Sequence, residues 1–271
     1  MSLRGVLLNP WVIVYFILAT VHLLLAGFHQ QPYGSITKCL LAPCLLAYTI
    51  TQIGWSNIRA YGPKALVVSL IACFGGDLFL ELPKGFFIPG MISFAAAHVG
   101  FTYTFLRRGA KATLKKHPYI VLPFIGGGIT LLYFGWYGLP IMLRVAAPIY
   151  GVLLLCTASS SSAYSPISGL GGAMFMVSDG MILLREAEKI STDVALGTIM
   201  PLYIGGIFLL TTRVVAADLS KKSSPLDQSL FTVPVGGFDP EEPLSSMGQV
   251  DTQMNYAILA GIPSHGSVQE D

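Results

Sequence analysis

Long apolar runs follow one another along most of the chain, separated by short polar joins that contain glycine and proline. Runs of about 17 to 22 residues match the length that an α-helix needs to cross the hydrocarbon core of a bilayer, about 30 Å. We therefore predict an all-α, polytopic membrane protein, an eight-helix bundle with transmembrane spans at residues 10–28, 36–54, 64–82, 86–106, 117–134, 139–158, 165–184 and 196–217.

The pattern changes near the C-terminal end. Residues 218–271 are rich in proline, serine, glycine and acidic residues and show no sustained hydrophobic period. Such a composition buries too little apolar surface to offset the entropy lost on folding. The sequence therefore predicts two parts, an eight-helix transmembrane domain at 1–217 and a disordered cytosolic tail at 218–271.

Composition agrees with the membrane assignment. The chain is 53% hydrophobic and only 11% charged, which is too apolar for a water-soluble domain. The basic residues are scattered, so no nucleic-acid partner is expected. The four cysteines lie in apolar segments without C-x-x-C spacing, and no cluster has the spacing of metal ligands. We expect no disulfide, no metal and no cofactor.

The distribution of basic residues predicts the orientation. Eleven lysines and arginines fall on the side of the predicted spans that carries both termini, against three on the other side. By the positive-inside rule both termini are expected in the cytosol. The basic loop "RRGAKATLKK" on that side either faces anionic membrane lipids or serves only as an orientation signal.

Several ionisable residues remain inside or at the edges of the predicted spans, where a charge is costly unless it is paired or faces water. They are Lys38, Asp77, Glu81, Arg144 and Asp179, together with His22 and His98. On the predicted topology Asp77 and Asp179 both lie in the non-cytosolic half. Lys38 and Arg144 enter from that same side, so two acids and two cations share one layer. This layer is either a functional site or a set of charge pairs that fixes helix register.

Two of these residues, His98 and Glu81, have more than one possible placement. His22 is expected to border the charged layer, whereas His98 lies deeper and either closes the floor of a cavity or bonds a backbone carbonyl. Asp77 and Glu81 lie four positions apart on one helix face, and neighbouring carboxylates resist both being ionised. Alternatively Glu81 is solvated at the helix end, which the pattern slightly favours.

A weak internal repeat accompanies this layer. "FGGD" at 74–77 and "MVSD" at 176–179 each place an Asp in the third helix of a predicted four-helix half. Lys38 and Arg144 occupy the second helix of each half. Because an even number of spans preserves orientation, the two halves are predicted to be parallel repeats.

Three sequence blocks carry a family resemblance. "SITKCLLAPCLLA" (35–47), "GGDLFLELPKGFFIPGMISFAAAHVGFTYTF" (75–105) and "GGAMFMVSDGMILL" (171–184) resemble the YhhN-like integral membrane proteins, the lysoplasmalogenases. The matching positions are Lys38, Gly76-Asp77, Phe87, Gly90, Phe94, His98 and Ser178-Asp179. The family commonly has a tyrosine three residues after the histidine. Here that position is Phe101, and Tyr103 is a candidate substitute.

The resemblance implies hydrolysis of the vinyl ether bond of lysoplasmalogen, which gives a fatty aldehyde and glycerophosphocholine or glycerophosphoethanolamine. We expect Asp77 to donate the proton and Asp179 to stabilise the cation and orient water, with the reverse assignment nearly equal. Lys38 and Arg144 are expected to hold the phosphate. The remaining candidate substrate-binding residues are His22, Glu81 and His98.

Other interpretations stay open. Intramembrane acids and interrupted helices also suit a proton-coupled secondary transporter of an amphiphilic or small anionic substrate. A third possibility is a scaffold whose tail recruits partners.

The serine-rich stretch "TASSSSAYS" (157–165) lacks G-x-S-x-G and is predicted to be a loop. The expected partners are a lysophospholipid and membrane lipids, with a homodimer left open. The family and the absence of N-x-S/T sequons favour an intracellular membrane such as the endoplasmic reticulum.

Overall fold

The computed structural model describes residues 3–28, 33–60, 64–82 and 84–222, and every regular element in these ranges is helical. The first helices are α1 (Leu3–Leu7), α2 (Pro10–Gly27), α3 (Tyr33–Ile53), α4 (Trp55–Ala60), α5 (Lys64–Glu81) and α6 (Phe87–Phe105). The others are α7 (Lys111–Lys116), α8 (Leu122–Gly135), α9 (Ile141–Tyr164), α10 (Pro166–Glu186) and α11 (Thr192–Lys222). Short 3-10 or π segments occupy Lys84–Phe86, Leu106–Ala110, Pro118–Val121 and Trp136–Gly138.

Within the described residues, six helical segments are long and apolar enough to cross a membrane. They are Pro10–Gly27, Tyr33–Ile53, Pro118–Gly138, Ile141–Tyr164, Pro166–Glu186 and Thr192–Ser220. The other two predicted spans form α5 and α6, of 18 and 19 residues. The charges of Asp77 and Glu81 near its C-terminal end make α5 less apolar than a simple lipid-facing helix. The chain is thus an all-helical, multi-pass membrane protein. The count of eight crossings depends on α5 and α6.

The long helices pack in a closed order. Helix α3 packs on α5, α5 on α6, α6 on α9, α9 on α10, α10 on α11, and α11 returns to α3. Outside this ring, α2 packs on α3 and α11, and α8 packs on α9 and α10. The helices α2, α3, α5 and α6 therefore pack in the same order as α8, α9, α10 and α11. The last helix of each group contacts the second helix of the other group.

Aromatic side chains fill the space between α6, α10 and α11. The ring centroid of Phe175 on α10 lies 6.3 Å from those of Phe94 and Phe101 on α6. It lies 5.4 Å from the ring centroid of Tyr203 on α11. Edge-on contacts at these distances are favourable for aromatic pairs. This cluster holds three helices around the positions where the buried acids lie.

The serine-rich stretch 157–165 is helical up to Tyr164, so its prediction as a loop was wrong and α9 extends beyond the predicted end at 158. Within α9, Ser161 donates its hydroxyl to the carbonyl oxygen of Ala158 at 3.0 Å, which satisfies the buried polar group. A Cβ atom on Gly169 of α10 would lie only 2.6 Å from Oγ of Ser162. Small residues here permit close helix packing, as is common in membranes.

The C-terminal boundary differs from the prediction. Helix α11 ends at Lys222, past the predicted domain boundary at 217. Residues 223–271, which carry most of the predicted disordered tail, lie outside the described residues. The prediction of disorder therefore stays a prediction.

Candidate functional site

Two neighbouring cavities share one wall. The smaller, of about 110 Å³, is polar and is lined mainly by α2, α3, α5, α10 and α11. The larger, of about 320 Å³, is almost entirely apolar and is lined mainly by α6, α8, α9 and α10. We call them the polar pocket and the apolar cavity. Leu80, Phe94, Asp179 and Ile182 line both. Asp179 therefore lies at the boundary between a polar and an apolar space.

Lys38 forms the centre of a charge cluster in the wall of the polar pocket. Its Nζ atom lies 2.7 Å from Oε1 of Glu81 and 4.0 Å from Oδ1 of Asp77. Ser35 donates its hydroxyl to Oε2 of Glu81 at 2.5 Å. The spacing of four residues puts both acids on the face of α5 that meets α3. Glu81 is the last residue of α5 and is partly exposed, as its favoured placement at the helix end predicts, and it is in addition ion-paired with Lys38 in the wall of the pocket.

The Asp77 carboxyl group accepts a hydrogen bond through one oxygen only. Its side chain is 1% exposed, and Oδ2 accepts a hydrogen bond of 2.6 Å from the hydroxyl of Tyr203. The other oxygen, Oδ1, is buried without a hydrogen-bond partner among the described residues. Asp77 lines the polar pocket, and Oδ1 retains unused hydrogen-bonding capacity.

Asp179 is also held through one oxygen. Its Oδ2 accepts a short hydrogen bond from the hydroxyl of Tyr150, and Nε2 of His98 lies 3.4 Å from the same atom. The other ring nitrogen of His98 lies 3.2 Å from the hydroxyl oxygen of Thr157. The fully buried His98 therefore supports Asp179 from behind. Both placements expected for it, the floor of a cavity and a bond to a backbone carbonyl, were wrong.

The two aspartates are held in corresponding ways. Asp77 on α5 is contacted by side chains from α3 and α11, whereas Asp179 on α10 is contacted by side chains from α9 and α6. Helices α3 and α9 are each the second long helix of a group of four, and α6 and α11 are each the last. The correspondence follows the packing order of the two groups.

His22 lines the polar pocket, at the border of the charged layer where the sequence placed it. Its Nδ1 atom lies 2.9 Å from the carbonyl oxygen of Gly34 and 3.1 Å from Oγ1 of Thr37. Its Nε2 atom is buried and has no hydrogen-bond partner within the described part of the chain.

Arg144 does not join the other predicted residues. Its guanidinium donates to the carbonyl oxygens of Leu139 at 2.9 Å and Tyr137 at 3.3 Å, which closes the turn before α9. It lines neither cavity. The prediction placed Arg144 at the correct end of its helix, but the sequence could not show toward which neighbour its side chain points.

Three site residues escaped the sequence analysis. Tyr150 and Tyr203 lie in apolar runs, where an aromatic residue is usually a packing residue, so no signal separated them from the core. Arg185 was assigned to a loop, but it lies in the last turn of α10 and lines the polar pocket. The candidate hydroxyl of Tyr103 does not reach the site. That side chain is 56% exposed, and Arg107 lies over its ring at 6.0 Å.

Comparison with known proteins identifies the family. The model of the YhhN family matches residues 33–214, which include every site residue described above except His22. The chain belongs to the YhhN family. A relative of this YhhN chain, the human lysoplasmalogenase TMEM86B, is 26% identical over 190 residues, which are 70% of this chain and 78% of the human protein. No solved structure matches the chain.

Proposed function

We propose that this YhhN-family protein is a lysoplasmalogenase-type hydrolase. It cleaves the vinyl ether bond of a 1-alkenyl-glycerophospholipid to a fatty aldehyde and glycerophosphocholine or glycerophosphoethanolamine. The observation that carries the proposal is the pair of neighbouring cavities, one polar and one apolar, with Asp179 in their shared wall. A single-chain lipid needs an apolar space for the chain, a polar space for the headgroup, and reactive groups between them. The similarity to a human lysoplasmalogenase supports a hydrolase.

The first step is protonation of the alkenyl carbon next to the ether carbon. Asp77 is the donor in this proposal because Tyr203 occupies its Oδ2, whereas Oδ1 has no hydrogen-bond partner among the described residues and can carry a transferable proton. The transfer leaves a carboxylate at Asp77 and an oxocarbenium ion at the ether carbon. Such a cation resembles the one formed in glycoside hydrolysis, which a second carboxylate stabilises.

The second step is capture of the cation by water. Asp179, whose Oδ2 accepts a short hydrogen bond from Tyr150, takes a proton from the attacking water. The product is a hemiacetal. The Asp77 carboxylate then accepts the hemiacetal hydroxyl proton while Asp179 returns its proton to the leaving glycerol oxygen. Aldehyde and alcohol separate, and both aspartates regain their starting states. Exchanging the two roles gives the same balance.

The experiment supplies purified protein in nanodiscs with 1-alkenyl-glycerophosphocholine and measures fatty aldehyde. Asp77→Asn and Asp179→Asn are each expected to lose at least about 100-fold in turnover, the usual contribution of a positioned acid or base. Asp193→Asn is the control, because this acid is exposed in the first turn of α11 and lines neither cavity.

The outcomes separate the alternatives. Aldehyde from the parent with loss in both site variants supports the proposal. Near-parent turnover in folded Asp77→Asn and Asp179→Asn overturns the acid-pair mechanism. In sealed proteoliposomes, uptake of a labelled 1-alkenyl-glycerophosphocholine without bond cleavage supports a proton-coupled transporter instead.

We further propose that α5 and α6 cross the membrane with the six apolar segments, in two parallel halves and with both termini in the cytosol. The polar pocket is lined by the C-terminal ends of α5 and α10 and by the N-terminal ends of α3 and α11. In an alternating eight-span topology these ends lie on the side opposite the termini. An intracellular membrane such as the endoplasmic reticulum remains our proposed location.

A further inference from the structure

Two cations, Lys38 and Arg185, line the polar pocket, and they differ in the ion pairs that they form. Lys38 is held by Glu81 at 2.7 Å and lies 4.0 Å from Asp77. Arg185 pairs with its chain neighbour Glu186 through Nη2 at 3.1 Å, and the side chains are 36% and 32% exposed. Its Nε and Nη1 atoms make no hydrogen bond with the described residues. Arg185 therefore has two guanidinium nitrogens without a hydrogen bond to the described residues, and these can donate to a ligand.

The position of Arg185 suits one part of a single-chain phospholipid. It follows Asp179 by six residues on α10, which corresponds to about 9 Å along the helix axis. In the substrate, about six bonds separate the ether carbon from the phosphorus atom. An extended chain advances about 3.5 Å for every three bonds, so this distance is about 7 Å. With the ether carbon at Asp179, the phosphate reaches the last turn of α10.

We propose that Arg185 binds the phosphodiester group of the single-chain lipid. The guanidinium fork offers paired donors to phosphate oxygens, and on binding it exchanges the Glu186 carboxylate for the phosphate. This inference rests on the proposed function and names the residue that recognises the headgroup. Lys38, which is already paired, instead balances the charges of Asp77 and Glu81.

The test measures binding without turnover. The ligands are a saturated 1-alkyl-glycerophosphocholine, which has no vinyl ether to hydrolyse, and the 1-alkyl-glycerol with the same chain, which has no phosphate. Calorimetry on the full chain in nanodiscs compares their affinities. We expect Arg185→Gln to weaken binding of the phospholipid by about tenfold to a hundredfold, the loss of a charged hydrogen-bonding group. Binding of the alkylglycerol stays at the parent value, and Arg185→Lys gives an intermediate loss.

Matched variants separate a ligand contact from a structural role. Glu186→Gln breaks the same ion pair but keeps the guanidinium, so affinity for the phospholipid is expected to hold or increase. Lys189→Gln removes an exposed cation after α10 and is expected to have no effect. An equal loss in Glu186→Gln and Arg185→Gln overturns the proposal, and so does equal weakening of both ligands by Arg185→Gln. Displacement of the lipid by inorganic phosphate at equal concentration also overturns it, because the site then selects free phosphate.

The same variants distinguish this inference from the hydrolase proposal. In the aldehyde assay Arg185→Gln is expected to raise KM for the phospholipid about tenfold or more while kcat changes little. Arg185-dependent binding without aldehyde release supports the phosphate site and overturns the hydrolase. Aldehyde release with unchanged KM and unchanged binding in Arg185→Gln overturns the phosphate site and leaves the hydrolase standing.

Discussion

The hydroxyl of Tyr203 lies 2.6 Å from Oδ2 of Asp77, although 126 positions of sequence separate the two residues. Both side chains are buried, and the bond joins α11 to α5 across the polar pocket. A carboxyl group in an apolar bundle has few ways to satisfy its oxygens, and this phenol determines which oxygen of Asp77 is left without a hydrogen bond.

The first prediction concerns this bond. Tyr203→Phe keeps the ring but removes the only hydrogen bond to the Asp77 carboxyl group in the described part of the chain. We expect kcat for aldehyde release to fall about tenfold to a hundredfold, since a hydrogen bond to a charged group contributes about 1.5–3 kcal/mol. KM for the lipid should change little because Tyr203 does not hold the phosphate in our proposal.

Tyr48→Phe is the matched control for this variant. Tyr48 is fully buried, but its hydroxyl has no hydrogen-bond partner among the described residues. Its removal should leave kcat unchanged and the unfolding temperature unchanged or higher. Equal effects of Tyr48→Phe and Tyr203→Phe on kcat would show that Tyr203 acts only through packing.

The sequence was informative where a residue type contradicted its surroundings. Asp77 and Asp179 stand out because acids are rare in apolar spans, and their depth along the helices placed them in one layer. Both line the polar pocket. The heights followed from counting residues at a fixed rise of about 1.5 Å each. Position along the helix was therefore enough to predict that Asp77 and Asp179 belong to one site.

The sequence failed where the direction around a helix axis decides the contact. Arg144 and Arg185 both lie near helix ends, but only Arg185 points into the polar pocket. Tyr150 and Tyr203 are indistinguishable in sequence from packing aromatics, because their hydroxyl partners come from distant helices. The serines of α9 suggested a loop, as they would in water, whereas close packing on α10 favours small residues in a membrane helix.

The second prediction concerns the ion pair between Lys38 and Glu81. A double-mutant cycle with Lys38→Gln, Glu81→Gln and the double variant measures its contribution to the free energy of unfolding. The side chains are only 13% and 24% exposed, so we expect a coupling of about 1–2 kcal/mol, more than an exposed surface pair gives. Chemical unfolding in detergent is the measurement. Purely additive effects contradict the prediction.

The third prediction concerns the end of the bundle opposite the polar pocket. Arg108, in the kinked segment after α6, donates from Nη2 to Oδ2 of Asp218 on α11 at 2.7 Å and from Nε to Oδ1 at 3.3 Å. The side chains are 15% and 21% exposed. Arg108→Gln is expected to lower the free energy of unfolding by about 1–3 kcal/mol, because a charged hydrogen-bonded partner is lost.

Activity provides the check on this third variant. Arg108 lines neither cavity, so kcat and KM for the lipid should match the parent below the unfolding transition. Arg107→Gln, a change at the neighbouring arginine, is the control for stability. A large loss of kcat in folded Arg108→Gln would mean that this ion pair is coupled to the site.

The fourth prediction concerns the length of the lipid chain. Gly151 of α9 lines the apolar cavity, and a Cβ atom placed on it would meet nothing within 4 Å. Gly151→Leu therefore fills the cavity without displacing the backbone. We expect kcat/KM for a long-chain alkenyl substrate to fall about tenfold, since roughly 1–3 kcal/mol accompanies each methylene group excluded from an apolar pocket. A short-chain substrate should be cleaved as by the parent, which shifts the preference to short chains.

Gly126→Leu on α8 adds the same side chain in open space outside the cavity and should leave this preference unchanged. Aldehyde release from a series of chain lengths makes the comparison, and a parallel loss at every length in Gly151→Leu would place the substrate chain outside the apolar cavity.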